Sequence, residues 1–137
     1  MIAPLLLDTC AAIWTTQTPG LSDAARTAIA DAESAGVAVY ISPISAWEVG
    51  LLVARGRLAL KLPPKRWFRE LEEAGLRLAP LSPEILIEAS TLPGDLHRDP
   101  ADRILAATAR EFGYRLMTRD KPLLAYAAAG YLDAISC

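Results

Sequence analysis

Leu5-Leu6-Leu7-Asp8-Thr9 is the stretch on which the fold turns: a short apolar run that ends abruptly at a carboxylate. A run of this length, followed at once by polar residues, reads as a buried strand that delivers Asp8 to its end. Three later segments each carry another acid to a comparable place, namely Glu48, Asp102 and Asp120. The chain is read outward from that strand.

After Asp8, Thr9 to Trp14 is helix-compatible with Thr9 as its N-cap, and a loop follows over Thr15-Thr16-Gln17-Thr18-Pro19-Gly20. A second helix is capped by Ser22 and stopped by Gly36. Val37 to Ile41 reads as the second strand, and Ser42-Pro43 then gives an N-cap and a first helical proline. In the helix that follows, Ile44, Trp47, Glu48, Leu51 and Leu52 share a face, so Glu48 interrupts an apolar stripe. Another helix is expected from Lys65 to Ala74, a third strand over Leu76 to Leu81, and a helix opened by Ser82-Pro83. Asp99-Pro100-Ala101-Asp102 opens the next helix with a cap, a proline and an acid, and Gly113 closes it. Tyr114 to Thr118 reads as the fourth strand, Asp120-Lys121-Pro122 as the start of a last Ala-rich helix, and Tyr131 to Ile135 as an edge strand. Strands alternating with helices through short loops imply a three-layer α/β/α domain around a mainly parallel sheet of four to five strands.

Length and composition bound the answer. The 137 residues fit one domain able to bury a core without disulfides or a structural metal. An apolar fraction of 53% with mean hydropathy +0.25 suggests an apolar surface kept for a partner or for self-association, beside the plainer reading of an Ala-rich core. The formal charge of −2 supplies no global basic field toward nucleic acid. One local stretch does: Arg55, Arg57, Lys61, Lys65, Arg66 and Arg69 are free of intervening acids and interleaved with Trp67 and Phe68. Cys10 and Cys137 lie far apart in sequence, outside any zinc-type spacing, as befits a reducing cytoplasm. Ile2 to Leu7 is too short for a signal-peptide core and no run reaches spanning length, so a cytoplasmic protein with no membrane association is expected.

In a parallel α/β sheet each strand's C-terminal end lies beside the N-terminal turn of the next helix, which puts Asp8, Glu48, Asp102 and Asp120 at one edge. Two ionised carboxylates about 4 Å apart repel by roughly 4 kcal/mol at an effective dielectric near 20, so four that converge need a cation or shed charge by protonation. All-oxygen donors favour Mg²⁺ or Mn²⁺, and phosphodiester hydrolysis is the natural reaction at such a centre. Each acid also has a structural reading: Asp99 is an N-cap, Asp102 complements a helix dipole, and Asp120 caps the last helix. Thr9 and Thr118 flank the acids and can orient them. Arg98, Arg103 and Arg119 are candidates for substrate phosphates, although Arg103 can equally pair with a nearby acid. His97, the sole histidine, reads as a loop residue rather than a general base.

Four blocks carry a resemblance: Leu6-Leu7-Asp8-Thr9, Ser42-Pro43-Ile44-Ser45-Ala46-Trp47-Glu48-Val49, His97-Arg98-Asp99-Pro100-Ala101-Asp102-Arg103-Ile104-Leu105-Ala106-Ala107-Thr108-Ala109, and Leu116-Met117-Thr118-Arg119-Asp120. In this order they resemble PIN-domain ribonucleases, specifically VapC toxins of type II toxin–antitoxin pairs. The resemblance implies a PIN-like fold and an Mg²⁺- or Mn²⁺-dependent endoribonuclease with Asp8, Glu48, Asp102 and Asp120 as its acidic quartet. It also implies an RNA substrate, a homodimer and a cognate VapB-like antitoxin covering the active-site groove. Ala101 stands where relatives with this block often carry Phe, a change of packing at the mouth of the site. Two rivals are a non-catalytic RNA- or antitoxin-binding module and a phosphoacceptor receiver domain. The second fits poorly, because the second and third strands end in Ser42-Pro43 and Ser82-Pro83 instead of an acceptor Asp.

Overall fold

Parallel pairing on both sides of β1, Leu5–Leu7, sets the architecture of the computed structural model, which describes residues 2–17 and 20–137. The chain continues through α1 (Thr9–Trp14), α2 (Asp23–Ser34), β2 (Val39–Ile41), α3 (Pro43–Ala54) and α4 (Pro64–Glu73). It then runs through β3 (Arg77–Leu78), α5 (Pro83–Ser90), α6 (Pro100–Phe112), β4 (Arg115–Thr118), α7 (Lys121–Ala128) and β5 (Ala134–Ser136). Strand order is β3-β2-β1-β4-β5, and every pairing in it is parallel. The sheet is therefore five-stranded, with β1 at its centre.

Alternation along the central strands divides the core in two. Leu5 and Leu7 pack with residues of α1, α2 and α4, whereas Leu6 packs with residues of α5, α6 and α7. Met117 and Leu116 of β4 split the same way. A strand buried on both faces reads as a continuous apolar run, which is why Leu5–Leu7 shows no polar alternation. The result is the expected α/β/α arrangement.

The helix starts follow local chemistry. Ser42 accepts from the Ile44 amide, Ser82 from Ile85, and Asp99 from Ala101 and Asp102, each ahead of a first-turn proline. Gly113, with φ 69°, closes α6 in the left-handed region that glycine enters without a Cβ penalty, and turns the chain into β4.

Strand limits and two faces differ from expectation. The second strand is Val39–Ile41 rather than Val37 to Ile41, and the third is Arg77–Leu78 rather than Leu76 to Leu81. β3 is an edge strand with β2 as its partner, so its length is set by that neighbour and not by its own apolar run. The last strand, Ala134–Ser136, is an edge strand lying slightly later than Tyr131 to Ile135. On α3 the fully inward positions are Ser45 and Val49, while Trp47 is 56% exposed. An almost wholly apolar helix has no clear polar side to fix its rotation, so the stripe through Trp47 was the wrong choice. The loop expected at Thr15 to Gly20 lies partly outside the described residues, at Thr18 and Pro19.

Candidate active site

β1 does not stop at Leu7 in its hydrogen bonding. The Asp8 amide donates to the Met117 carbonyl (3.0 Å), which carries the ladder one residue further and sets Asp8 beside Thr118. Asp8, not Thr9, is the N-cap of α1: Asp8 Oδ1 accepts from the Ala11 amide at 2.7 Å. Asp8 Oδ2 accepts from the fully buried Thr118 hydroxyl at 2.6 Å. Thr118 Oγ1 in turn accepts from the Asp120 amide at 3.0 Å, so one hydroxyl ties the end of β1 to the turn after β4.

Asp120 is the N-cap of α7, with Oδ2 accepting from Leu123 at 3.0 Å. Asp102 sits in the first turn of α6, above the cap made by Asp99. Both carboxylates meet His97: its Nε2 lies 3.2 Å from Asp102 Oδ2 and 3.3 Å from Asp120 Oδ2. His97, Asp102 and Asp120 each offer a ligand atom, all within 4.8 Å of one another, a spacing that one divalent cation can span.

Glu48 enters from the second turn of α3. Its Oε1 accepts from the Thr9 hydroxyl, and Thr9 Oγ1 lies 2.9 Å from the fully buried Ser45 hydroxyl. Thr9 has one hydroxyl proton. Given to Glu48, it leaves Thr9 to accept from Ser45, so a relay of two hydroxyls orients the carboxylate. Among the described residues no buried side-chain nitrogen or oxygen lacks a partner, so the buried hydroxyls and carboxylate of this edge are satisfied within the fold.

The four acids lie in one another's fields. Burial raises Asp8, against donation from Thr118 and Ala11, and the charge of Asp120 pushes the same way as burial. Burial likewise raises Glu48, opposed by Thr9 and reinforced by Asp99 and Asp8. Asp102 is pushed up to about 8 by burial and then by the charges of Asp99, Asp120, Glu48 and Asp8. A carboxyl that holds its proton to about 8, as Asp102 does, is one short of positive charge. A divalent cation supplies that charge, and a donor set of carboxylate oxygens suits a hard one.

The expected site residues are thus placed as follows. Asp8, Glu48, Asp102 and Asp120 gather at the C-terminal edge of the sheet, with Asp102 and Asp120 in the tight cluster and Asp8 and Glu48 held behind hydroxyl donors. Thr9 and Thr118 are those donors. Asp99 is occupied as a cap, accepting from Ala101 at 3.0 Å and Asp102 at 3.2 Å, and acts on the site through its charge. Arg98 is exposed beside it. Arg103 is directed elsewhere: its Nε donates to the Ala89 carbonyl (2.7 Å) and its Nη1 to Leu96 (3.0 Å) and His97 (3.4 Å), so it fastens the loop before α6 instead of reaching phosphate or pairing with an acid. Arg119 lies over the Trp14 ring, donates to the Cys137 carbonyl at 2.7 Å, and lowers Asp8 through its charge. In the basic stretch the charged groups are exposed, but Trp67 is buried with Nε1 on Thr16 Oγ1 at 3.1 Å, so it is a core residue and not a base-stacking platform.

His97 and Ser45 are the site residues that sequence reasoning passed over. Ser45 could have been found from its spacing, one helical turn before Glu48 on the same face. His97 carried a weaker signal, its place two residues ahead of the Asp99 cap.

An all-parallel sheet with acids gathered at its carboxyl edge defines an α/β domain with a cluster able to hold a divalent cation. The family model for the PIN domain matches residues 5–129. Ribonuclease VapC22 of Mycobacterium tuberculosis (strain ATCC 25618 / H37Rv) is 38% identical over 120 residues, which is 87% of this chain and 88% of that protein. Of solved structures, VapBC2 from Rickettsia felis bound to a DNA fragment from their promoter aligns over 98% of both chains with a TM-score of 0.69 at 14% identity. FitAcB from Neisseria gonorrhoeae aligns over 96% of both with a TM-score of 0.56 at 21% identity. At those identities the two structures speak for the fold. The chain belongs to the PIN-domain family and is closely related to the VapC toxins of type II toxin–antitoxin systems.

Proposed function

We propose that this chain is a toxin of a type II toxin–antitoxin pair, a metal-dependent endoribonuclease that hydrolyses RNA phosphodiester bonds. The observation that carries the reading is the convergence of Asp8, Glu48, Asp102 and Asp120 at one edge, close enough that Asp102 is pushed up to about 8 by burial and its acidic neighbours. The similarity to a protein named a ribonuclease supports RNA as the substrate.

Asp8, Glu48, Asp102 and Asp120 would hold the cation, and the oxygen donor set favours Mg²⁺ or Mn²⁺. A cation held there would supply a lowered pKa for an attacking water and positive charge against that gathering on the phosphate. The chain's own part is positioning. Thr118 and the Ala11 amide fix the two oxygens of Asp8, the Ser45 and Thr9 hydroxyls fix Glu48, and the α7 amide of Leu123 fixes Asp120. Exposed Arg98, next to the α6 cap, is free to meet the substrate backbone.

The same reading includes a VapB-like antitoxin over this edge and a homodimer, for which the exposed Trp47, Leu86 and Ile87 offer apolar surface. The described residues contain no helix long and apolar enough to cross a membrane, which agrees with work in the cytoplasm. The test is RNA cleavage by the antitoxin-free protein with Mg²⁺ or Mn²⁺. Cleavage should stop on chelation and fall by orders of magnitude in Asp8→Asn and in Asp102→Asn. Undiminished cleavage by a folded Asp8→Asn protein would overturn the proposal.

A further inference from the structure

His97 lies in the loop ahead of α6, and both of its ring nitrogens are engaged. Nδ1 accepts the Asp99 backbone N–H at 3.1 Å. A nitrogen that accepts carries no proton, so in the neutral ring the proton is on Nε2. Nε2 donates to Asp120 Oδ2 at 3.3 Å and lies 3.2 Å from Asp102 Oδ2. A nitrogen holding that proton has no lone pair for a cation. Moving the proton to Nδ1 would set it head to head with the Asp99 N–H, whose position the α6 cap fixes.

The backbone around the ring is also fastened. Arg103 Nη1 holds the Leu96 and His97 carbonyls, while its Nε holds Ala89. The ring can therefore leave the carboxylates by side-chain rotation without a shift of the loop.

We infer that His97 is a displaceable positioning residue and not a metal ligand: its Nε2–H is held by Asp120 beside Asp102 while the site is metal-free and gives way when a divalent cation binds the two acids. The ring sits against both acids and keeps them at ligand spacing. In return the cation must break one charge-assisted contact, so His97 weakens binding. This rests on the metal site proposed above.

His97 is the only histidine, so ¹⁵N-histidine labelling of untagged protein gives one ring to observe. Without metal, its two nitrogens should appear as a protonated Nε2 and an unprotonated Nδ1, and Mg²⁺ titration should shift Nε2 without moving the proton to Nδ1. Electron spin-echo measurements on the Mn²⁺-loaded wild-type protein should show no directly bound imidazole nitrogen. By calorimetry, His97→Ala and His97→Gln should bind Mn²⁺ at least as tightly as wild type, with a gain of up to roughly tenfold for the lost charged hydrogen bond. A bound-nitrogen signal, transfer of the proton to Nδ1, or weaker Mn²⁺ binding by both folded variants overturns the inference while leaving the metal site standing. Failure of the wild type to bind Mn²⁺ or Mg²⁺ at all overturns both.

Discussion

Replacing Thr118 by valine tests how the acidic edge is held. The side chain is fully buried, donates to Asp8 Oδ2 at 2.6 Å and accepts from the Asp120 amide at 3.0 Å. Valine keeps the shape and removes both bonds. A hydrogen bond to a charged group contributes about 1.5–3 kcal/mol and a neutral one about 0.5–1.5, so the variant should lose roughly 2–4 kcal/mol. Unfolding entropy near 2.1 cal/mol/K per residue gives about 0.3 kcal/mol per degree for a chain of 137 residues, hence a Tm lowered by ~7–14 °C. The loss should depend on pH with a definite sign. Donation from Thr118 lowers Asp8, so its stabilisation is present where Asp8 is ionised and fades as pH falls and the carboxyl takes up its proton. The deficit of the valine variant should therefore shrink in acid. Urea unfolding of metal-free protein across this range measures it, with an unchanged m-value as the check that the unfolded state is the same. Thr118→Ser keeps the hydroxyl and should lose about 1 kcal/mol for the buried methyl group. A valine variant within 1 kcal/mol of wild type, or a serine variant as damaged as the valine one, would refute the role assigned to this hydroxyl.

Two further outcomes follow from the same geometry. Glu48→Gln retains the shape and an oxygen for the Thr9 hydroxyl but lacks the charge, so metal affinity by equilibrium dialysis should fall at least about tenfold while the metal-free Tm stays level or rises; loss of the fold with normal affinity would count against it. Asp102 is raised from 3.8 to about 8, so its contribution to the metal-free fold is complete below pH 4 and lost as pH climbs through about 8, and that downward slope of Tm with pH should be missing from Asp102→Asn; equal slopes in the two proteins would show that Asp102 is not the group responsible.

What could be read from the chain and what could not divide along the range of the interactions. Cap-and-proline pairs such as Ser42-Pro43, Ser82-Pro83 and Asp99-Pro100 act within a few residues, so the starts of α3, α5 and α6 were legible to the residue. The buried run Leu5–Leu7 was legible for the same reason, and with it the edge that Asp8 reaches. Strand length was not, because β3 is an edge strand paired only through Tyr40 and Ile41 of β2. The partners of Arg103 and His97 were not legible because they are set by tertiary structure. Arg103 finds carbonyls at Ala89, Leu96 and His97 once the loop folds over α6, and His97 meets Asp120 across 23 positions. Thr9 was expected to cap α1, and the neighbouring Asp8 takes that place because the ladder bond from its amide to Met117 carries the strand one residue further.

The acids at this edge also serve the fold, and that double duty bears on why a cation is needed. Asp8, Asp99 and Asp120 each cap a helix and so each receives backbone N–H groups at a positive helix end. A favourable helix-end charge contributes about 0.3–1 kcal/mol, whereas one carboxylate pair about 4 Å apart costs roughly 4 kcal/mol at an effective dielectric near 20. Capping therefore offsets only part of the repulsion. The neighbouring charges add to burial at Asp8, Glu48 and Asp102, and all three are raised. Asp102 lies in the first turn of its helix yet still holds its proton to about 8, so the helix end does not outweigh burial and the surrounding charge. Asp102 is the carboxyl whose ionisation near neutral pH calls for a positive charge beside it, and a divalent ion held among these acids would supply that charge as well as its chemistry.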